Sequence, residues 1–416
     1  PRPQTMGPPM VYLPLANILH YKLRSLLSAV GIGIGICMMI TLAGLSRGSV
    51  HEVADRWEAV HADLIVMPRG WADQAADRSG VGLSDKYAEI LRERFPDEIQ
   101  RVTPVLAWVV DMAGQHQRVI GVEPDDWKHL TGERKLLQGR VFDPENQFAR
   151  WIERQMLSPV ETDSGELELF DPSQEDLSAP EHDGLELVID DRLARAGNYR
   201  TDQQVHLAGH DWTIVGIVDS GVLARVFMPR RTAQYLFTGD ITKSTMMFVK
   251  LREGVSPGQA AASIRELIGQ DVVGVDQYRQ MFVDRWGMMF TYVDAVNIVA
   301  LVIAFLFIMV TLYTMVLQRT REVAILKASG AGRGFLIRQV LGESFLLTGG
   351  GTLLGIAMAF GAGALIETFK PLLTVSITAE WVVLAILAAV VGALVSAAYP
   401  AWRACRVDML AALNYE

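Results

Sequence analysis

Cysteine is almost absent from this 416-residue chain, which has only Cys37 and Cys405. Two cysteines exclude a disulfide scaffold. Charge is scarce too, at 20% of residues where an average domain carries about 25%. The balance is acidic, with 38 Lys and Arg against 47 Asp and Glu and a net charge of −9. That argues against nucleic acid as a partner. Motifs of chemistry are missing as well. No H-E-x-x-H, C-x-x-C or G-x-x-x-x-G-K-[ST] occurs, so the sequence carries no zincin helix, redox pair or phosphate-cradling loop. At 50% hydrophobic residues, the chain is neither disordered nor collagen-like.

What is abundant is the long apolar run. A helix needs about 20 apolar residues to cross a bilayer core of about 30 Å. Arg24 and Arg47 bracket 22 uncharged residues, and Asp294 and Arg319 bracket 24. Between Arg338 and Glu367 lie 28 residues with one charge, Glu343, and Glu380 and Arg403 bracket another 22. A buried core helix or a signal-peptide core accounts for one such run, not for four. The first run lacks a small-residue cleavage site before a polar mature start, so it reads as an uncleaved anchor. Pro1 is not an initiator, which makes Met6 or Met10 the expected native start. Spans are expected at 26–46, 293–317, 339–366 and 381–402. The fold class is thus an α-helical membrane protein with four transmembrane helices and a large α+β domain inserted between the first two.

Orientation follows from basic residues in short flanks. Arg2, Lys22, Arg24, Arg319, Arg321, Lys327, Arg333, Arg338, Arg403 and Arg406 share one side, whereas the loop 367–380 carries only Lys370. Both termini (1–25 and 403–416) and the 318–338 loop are therefore expected in the cytoplasm. Residues 47–292 are then extracytoplasmic; they hold 27 basic and 40 acidic residues and are exempt from the charge rule by their length. The segment 15–27 is amphipathic and expected to lie at the cytoplasmic surface. Cys37 in a span and Cys405 in the tail cannot pair and read as inert small residues.

Residues 47–292 alternate strand and helix signals. "ADLIVMPRG" (62–70) reads as a strand, and 85–95 as a helix with Tyr87, Ile90, Leu91 and Phe95 on one face. Residues 101–123 read as paired strands, 204–219 as a hairpin turning at Ala208-Gly209, and 256–269 as a helix with a Ser cap and Pro at its start. The stretch 143–186 is acidic and weakly periodic, a solvated surface insertion. His206 and His210 have metal-like spacing but flank a hairpin turn, which loses that geometry. Asp125-Asp126 beside Trp127 reads as an acidic structural turn. Nothing in this region has the makings of an active site, which disfavours a membrane-anchored enzyme.

The informative loop is "QRTREVAILKASGAGRGFLIRQVLGESFLL" (318–347). Arg321, Glu322, Val323, Ile325, Leu326 and Lys327 form a short amphipathic helix, and Gly330, Gly332 and Gly334 break it. An interfacial helix in the headgroups is the plain reading; a docking knob for a cytoplasmic motor is the functional one. The block Arg321 to Ala331 is similar to the "REIAILKALGAS" signature of the FtsX/MacB-like permease family of ATP-binding-cassette transporters. "AAYPAWRACRVDMLAALNYE" (397–416) resembles that family's "PAxRAAxxDPxEALRxE", with Met409 in place of Pro and Cys405 in place of Ala. Supporting likeness lies in "ADLIVMPRG", "VIGVEP" (119–124), "LLQGRVF" (136–142), "VHLAGHDWTIVGIV" (205–218) and "FMPRRTAQYLF" (227–237), which look like the family's periplasmic core domain.

The resemblance implies a non-catalytic permease subunit of a bacterial inner membrane, with no cofactor of its own. ATP and Mg would be bound by a separate cytoplasmic ATPase subunit, gripping Arg321, Glu322, Ile325, Leu326, Lys327 and Gly330. Two permease chains, alike or different, would meet two ATPases; other implied partners are membrane lipid and a periplasmic adaptor, lipoprotein or hydrolase. Glu343 is expected to pair with Arg338 or Arg403 at the interface, or else to transmit motion. The tracks Gly31-x-x-x-Gly35, Gly351-x-x-x-Gly355, Ala357-x-x-x-Gly361 and Ala388-x-x-x-Gly392 suit tight helix contact, including dimerisation. The spans hold no cluster of ionisable residues and so look like levers, not a channel. Export or extraction of an amphipathic, lipidated, peptide or drug-like substrate is the favoured expectation. The alternative is a non-transporting transducer that activates an extracytoplasmic partner such as a cell-wall hydrolase; an inserted domain of about 245 residues is larger than that role requires.

Overall fold

The computed structural model describes residues 22–71, 82–132, 135–143, 184–318 and 320–406, with Phe148, Ile152 and the strand residues 160–161 and 167–168. Met6, Met10, Arg319, residues 15–21, most of 143–186 and the tail from 407 lie outside the described residues. The chain divides into two units, Val50–Gly287 and a second made of Pro1–Ser49 with Met288–Glu416.

Among the described residues, four helices are long and apolar enough to cross a membrane. They are α1 (Lys22–Glu58), α8 (Gly287–Gln318), α10 (Arg333–Phe369) and α11 (Ala379–Cys405). A short α9 (Thr320–Ala328) follows α8. At 37 residues, α1 is about 55 Å long, where about 30 Å spans a bilayer core.

Side-chain size explains how the four helices meet. A Cβ on Gly31 would lie 3.1 Å from the Phe307 ring, and one on Gly35 3.0 Å from Ala304 Cβ. A Cβ on Gly355 would lie 2.6 Å from the Gly33 carbonyl oxygen, and one on Gly351 2.7 Å from Ile32 Cβ. These glycines therefore seat α1 against α8 and α10 within one chain. Gly361 and Gly350, by contrast, have nothing within 4 Å. Polar side chains add cross-helix bonds where water is absent. Ser28 Oγ donates to Thr311 Oγ1 (3.0 Å), Ser344 Oγ to the Ala393 carbonyl (2.9 Å) and Ser396 Oγ to the Phe305 carbonyl (2.8 Å). Ile36, Ile40, Ile308, Leu312 and Ala385 form the buried centre.

The unit Val50–Gly287 is α+β, built on a ten-stranded mixed sheet. The strands are β1 (Leu64–Met67), β2 (Leu83–Ser84), β3 (Ile99–Met112), β4 (Gln115–Val122), β5 (Leu136–Gly139), β6 (Val160–Glu161), β7 (Leu167–Glu168), β8 (Glu186–Asp190), β9 (Gln204–Leu207), β10 (His210–Val218), β11 (Val226–Pro229), β12 (Lys243–Ser244), β13 (Met246–Leu251) and β14 (Asp271–Gly274). The main order is β14-β1-β13-β3-β4-β11-β8-β10-β5, with β9 on β10, and separate small pairs β12-β2 and β6-β7. The first half of β3 pairs with β13, up to Val105, and the second half pairs with β4 from Leu106. The helices are α2 (Lys86–Arg94), α3 (Pro124–Thr131), α4 (Asp191–Gly197), α5 (Arg230–Thr238), α6 (Pro257–Ile268) and α7 (Val275–Arg285).

Strand periodicity feeds two cores. Leu64 and Val66 of β1 join a core with Leu91, Val249, Ile264 and Val272. Ile65 and Met67 point to the other face, with Trp57, Phe248, Val273 and Tyr278. The expected strands at 62–70 and 101–123 and the hairpin at Ala208-Gly209 are present. Three details differ. Ile90 of α2 is exposed while Ala88 is buried with Leu91. Ser256 occupies the N-cap of α6, yet its side chain makes no capping bond. Asp125 and Asp126 form the first turn of α3, where carboxylates favour a helix N-terminus, and Asp126 accepts from Arg101 (2.8 Å).

Candidate energy-coupling site

The corner between α8 and α10 is made by α9. Thr320 Oγ1 bonds back to the Leu317 carbonyl (2.6 Å). Glu322 in the first turn and Lys327 in the last complement the helix dipole. Val323 and Ala324 are buried, so one face of α9 is held from beneath. Arg321, Glu322, Ile325 and Ala328 are exposed at helical spacing, and Ile325 keeps 51% of its surface open. Leu326 and Lys327 are half-buried. Lys327 Nζ donates to the Cys405 carbonyl (3.1 Å), a cation at the C-terminus of α11. The helix ends in a Schellman motif: Ala331 N–H bonds to the Leu326 carbonyl and Gly330 N–H to that of Lys327. Gly330 takes φ +92°, a region that glycine enters without steric cost. Gly332 then caps α10, while Gly334 lies inside that helix and breaks nothing.

Glu343 is 4% exposed on α10. With Gln339, Met315 and Val323 it lines a cavity of about 20 Å³ behind α9, room for one water. Arg338 and Arg403, the partners expected for it, are both exposed. Five residues separate 338 from 343, which at 3.6 residues per turn sets them about 140° apart around the helix.

At the far end of this unit, Arg47 makes a two-pronged bond to Asp294 (3.1 and 2.9 Å) and lies 4.4 Å from the Trp381 ring centroid. Ser376 N–H donates to the Gly44 carbonyl (3.1 Å), tying the α10–α11 loop to α1. The stretch Gly44 to Gly48 reads G-x-S-x-G, the pattern of a nucleophile elbow. Its Ser46 sits inside α1 instead of on a strand-to-helix turn, so the nucleophile geometry is absent.

In the α+β unit, residues 50–58 of α1 are anchored by charges that sequence reasoning missed. Arg56 bonds Glu52 (2.5 Å) and Asp190 (3.3 Å), and Arg225 approaches both carboxylates (3.5 and 3.4 Å). Burial pushes the Asp190 carboxyl up and the Arg225 guanidinium down, against the pull of their opposite charges. Arg279 of α7 holds Asp55 (2.8 Å) and Glu58 (2.7 Å). Trp57 is fully buried, edge-on to Tyr278 at 5.1 Å. The only local signal for this anchor was the Glu52–Arg56 spacing of four, past the end of the apolar run.

No group of three or more His, Cys, Asp or Glu poised for a metal occurs among the described residues. The hairpin register sets His206 opposite Asp211 and His210 opposite Leu207.

Known proteins resemble this chain in sequence. A model of the MacB-like periplasmic core domain matches residues 25–267, and one of the FtsX-like permease C-terminal region matches 295–409. A macrolide export ATP-binding/permease protein, MacB, of Mannheimia succiniciproducens is 21% identical over 418 residues, covering 97% of this chain and 60% of its own. That of Bradyrhizobium diazoefficiens is 23% identical over 426 residues, covering 97% and 59%. The chain thus spans about 60% of the length of these relatives. The crystal structure of the periplasmic region of MacB from Actinobacillus actinomycetemcomitans aligns with 55% of this chain and 96% of its own, at 15% identity and a TM-score of 0.35. With a core-domain match over more than half the chain, a permease match over the three later helices and four membrane-length helices, the chain belongs to the FtsX/MacB-like permease family of ATP-binding-cassette transporters.

Proposed function

We propose that this chain is the permease subunit of a transporter driven by a separate cytoplasmic ATPase, which binds ATP and Mg. Both termini and α9 face the cytoplasm, and residues 47–292 lie outside the inner membrane. Two permease chains meet two ATPases. The cargo is an amphipathic, lipidated, peptide or drug-like molecule, passed on with a periplasmic adaptor or lipoprotein. The relatives' names, which join ATP binding to permease and to macrolide export in one protein, support an ATP-driven permease.

The observation that carries it is the knob. Arg321, Glu322 and Ile325 project from α9, whose reverse face is clamped by Val323, Ala324 and the Lys327 bond to α11. A motor that grips the outer face moves the ends of α8, α10 and α11 together. Glu343 lies directly behind that clamp and helps keep it seated. Through Glu52, Arg56 and Trp57 the continuous α1 is bonded into the α+β unit, which makes it the element to carry motion onward.

The test is ATPase stimulation by the full chain, reconstituted with its motor in nanodiscs. Glu322→Arg with Ile325→Asp should weaken coupling by about tenfold or more, the loss typical of an interface anchor. Thermal melting should not change, since both side chains are exposed. Leu326, half-buried, is a poorer probe because its loss disturbs packing. Unchanged stimulation by the double variant would refute the knob, and labelling of a Ser329→Cys variant from the extracytoplasmic side would refute the orientation.

A further inference from the structure

We propose that the groove between the first turns of α10 and the last turns of α11 binds an anionic phospholipid of the bilayer. The cavity measures about 560 Å³. Ile337 and Leu341 form one wall, Leu394 and Trp402 the other, and Arg333 and Arg406 stand at its mouth. The floor is Ala398 with the buried Ala397 and Ala401, residues too small to fill the space.

Three features point to a lipid of this charge. The walls are apolar yet open, with Ile337 39%, Leu394 46% and Trp402 48% exposed. Covering them with acyl chains satisfies them as water does not. Depth fits one leaflet. Leu394 to Arg406 is about 18 Å of helix at 1.5 Å per residue, against about 15 Å for half a bilayer core. The charges sit where a phosphodiester belongs. Both arginines lie just beyond the apolar runs, and neither has a carboxylate partner among the described residues. The Arg406 guanidinium lies 4.1 Å from the Trp402 ring centroid, an aromatic and a cation together at headgroup level. A zwitterionic lipid covers the walls equally well but brings no net charge to the two cations. Basic pockets between membrane helices select anionic headgroups for this reason. The assignment rests on the groove alone and holds whether or not α9 docks an ATPase.

The experiment uses the full chain in nanodiscs of phosphatidylethanolamine and phosphatidylglycerol. Native mass spectrometry of the released protein counts the lipids retained. Wild type should retain phosphatidylglycerol in preference to phosphatidylethanolamine. Arg333→Gln with Arg406→Gln should weaken retention about thirtyfold, about fivefold for each charge removed. Ala398→Phe, which fills the groove at unchanged charge, should lower retention of both lipids. Arg338→Gln, off the groove, should change nothing. If the double variant fails to fold, the two single variants and Ala398→Phe still decide the matter. Undiminished retention in the charge variants overturns the proposal, as does equal retention of the two lipids. Displacement by inorganic phosphate alone also overturns it by marking a bare anion site. So does phosphatidylglycerol binding that appears only after removal of residues 407–416, which would make that segment the occupant.

Discussion

Gly355 offers the sharpest test of the helix bundle. A methyl group placed there meets the Gly33 carbonyl oxygen at 2.6 Å and Ile36 Cβ at 2.8 Å, where ordinary contacts begin at 3.4 Å. The obstacle is backbone, not a flexible side-chain tip. The α1–α10 crossing must therefore open by most of an ångström. Overpacking of this kind costs about 1–3 kcal/mol. Alanine also gains about 1 kcal/mol over glycine in helix propensity, which masks part of the cost. Gly350→Ala supplies the correction. It lies on the same helix, gains the same propensity and meets nothing within 4 Å. The expected result is that Gly355→Ala is less stable than Gly350→Ala by about 1–3 kcal/mol. The assay is titration of the full chain with SDS in mixed micelles, followed by helical circular dichroism at several protein concentrations. Equal midpoints for the two variants would sink the packing argument. A Gly355 effect seen only as loss of dimer, at an unchanged unfolding midpoint, would restore the intermolecular reading of the glycine track.

Three further outcomes are expected. Trp57→Ala should cost about 3–5 kcal/mol, measured as denaturant stability of the α+β signal, because a fully buried indole leaves a cavity; Trp57→Phe should lose much less. Arg47→Lys should not restore the stability lost in Arg47→Ala, since an ammonium cannot reproduce the paired bonds to Asp294 or the stacking on Trp381; comparison of thermal midpoints decides this. The Asp240 carboxyl is held down to about 2 by bonds from the Thr242 hydroxyl and amide and by Lys243. A depressed carboxylate contributes stability that is complete above its unfolded value of 3.8 and is lost as pH falls towards about 2. The stability gap between wild type and Asp240→Asn should therefore shrink across that window, and a gap that widens on acidification would contradict the assignment.

Much of the architecture was legible because its signals are local. Charge-free runs located the four apolar helices, and period-two patterns located β1, β3, β4 and the β9–β10 hairpin. Gly330 and the amphipathic stretch from Arg321 announced α9 and its end. Contacts between distant residues were not legible. Asp190 is 134 residues from Arg56, and no spacing rule connects them. The glycine tracks showed that helices approach closely but not which ones, since small residues serve a neighbour in the same chain and a second copy alike. Sequence distance set Glu343 near Arg338 but did not carry their angular positions, which bury the one and expose the other. Within α9 the pattern marked the right segment, yet only the structure separates exposed Ile325 from half-buried Leu326.

The divided loyalty of β3 has a consequence for how the α+β unit comes apart. Because one strand serves β13 with its first half and β4 with its second, the two half-sheets are joined through β3 and neither can shed it without losing its link to the other. A slip of one residue would turn every side chain in both halves inside out at once. Amide protons of β13 and β4 should therefore exchange with a common protection, released by a single opening event.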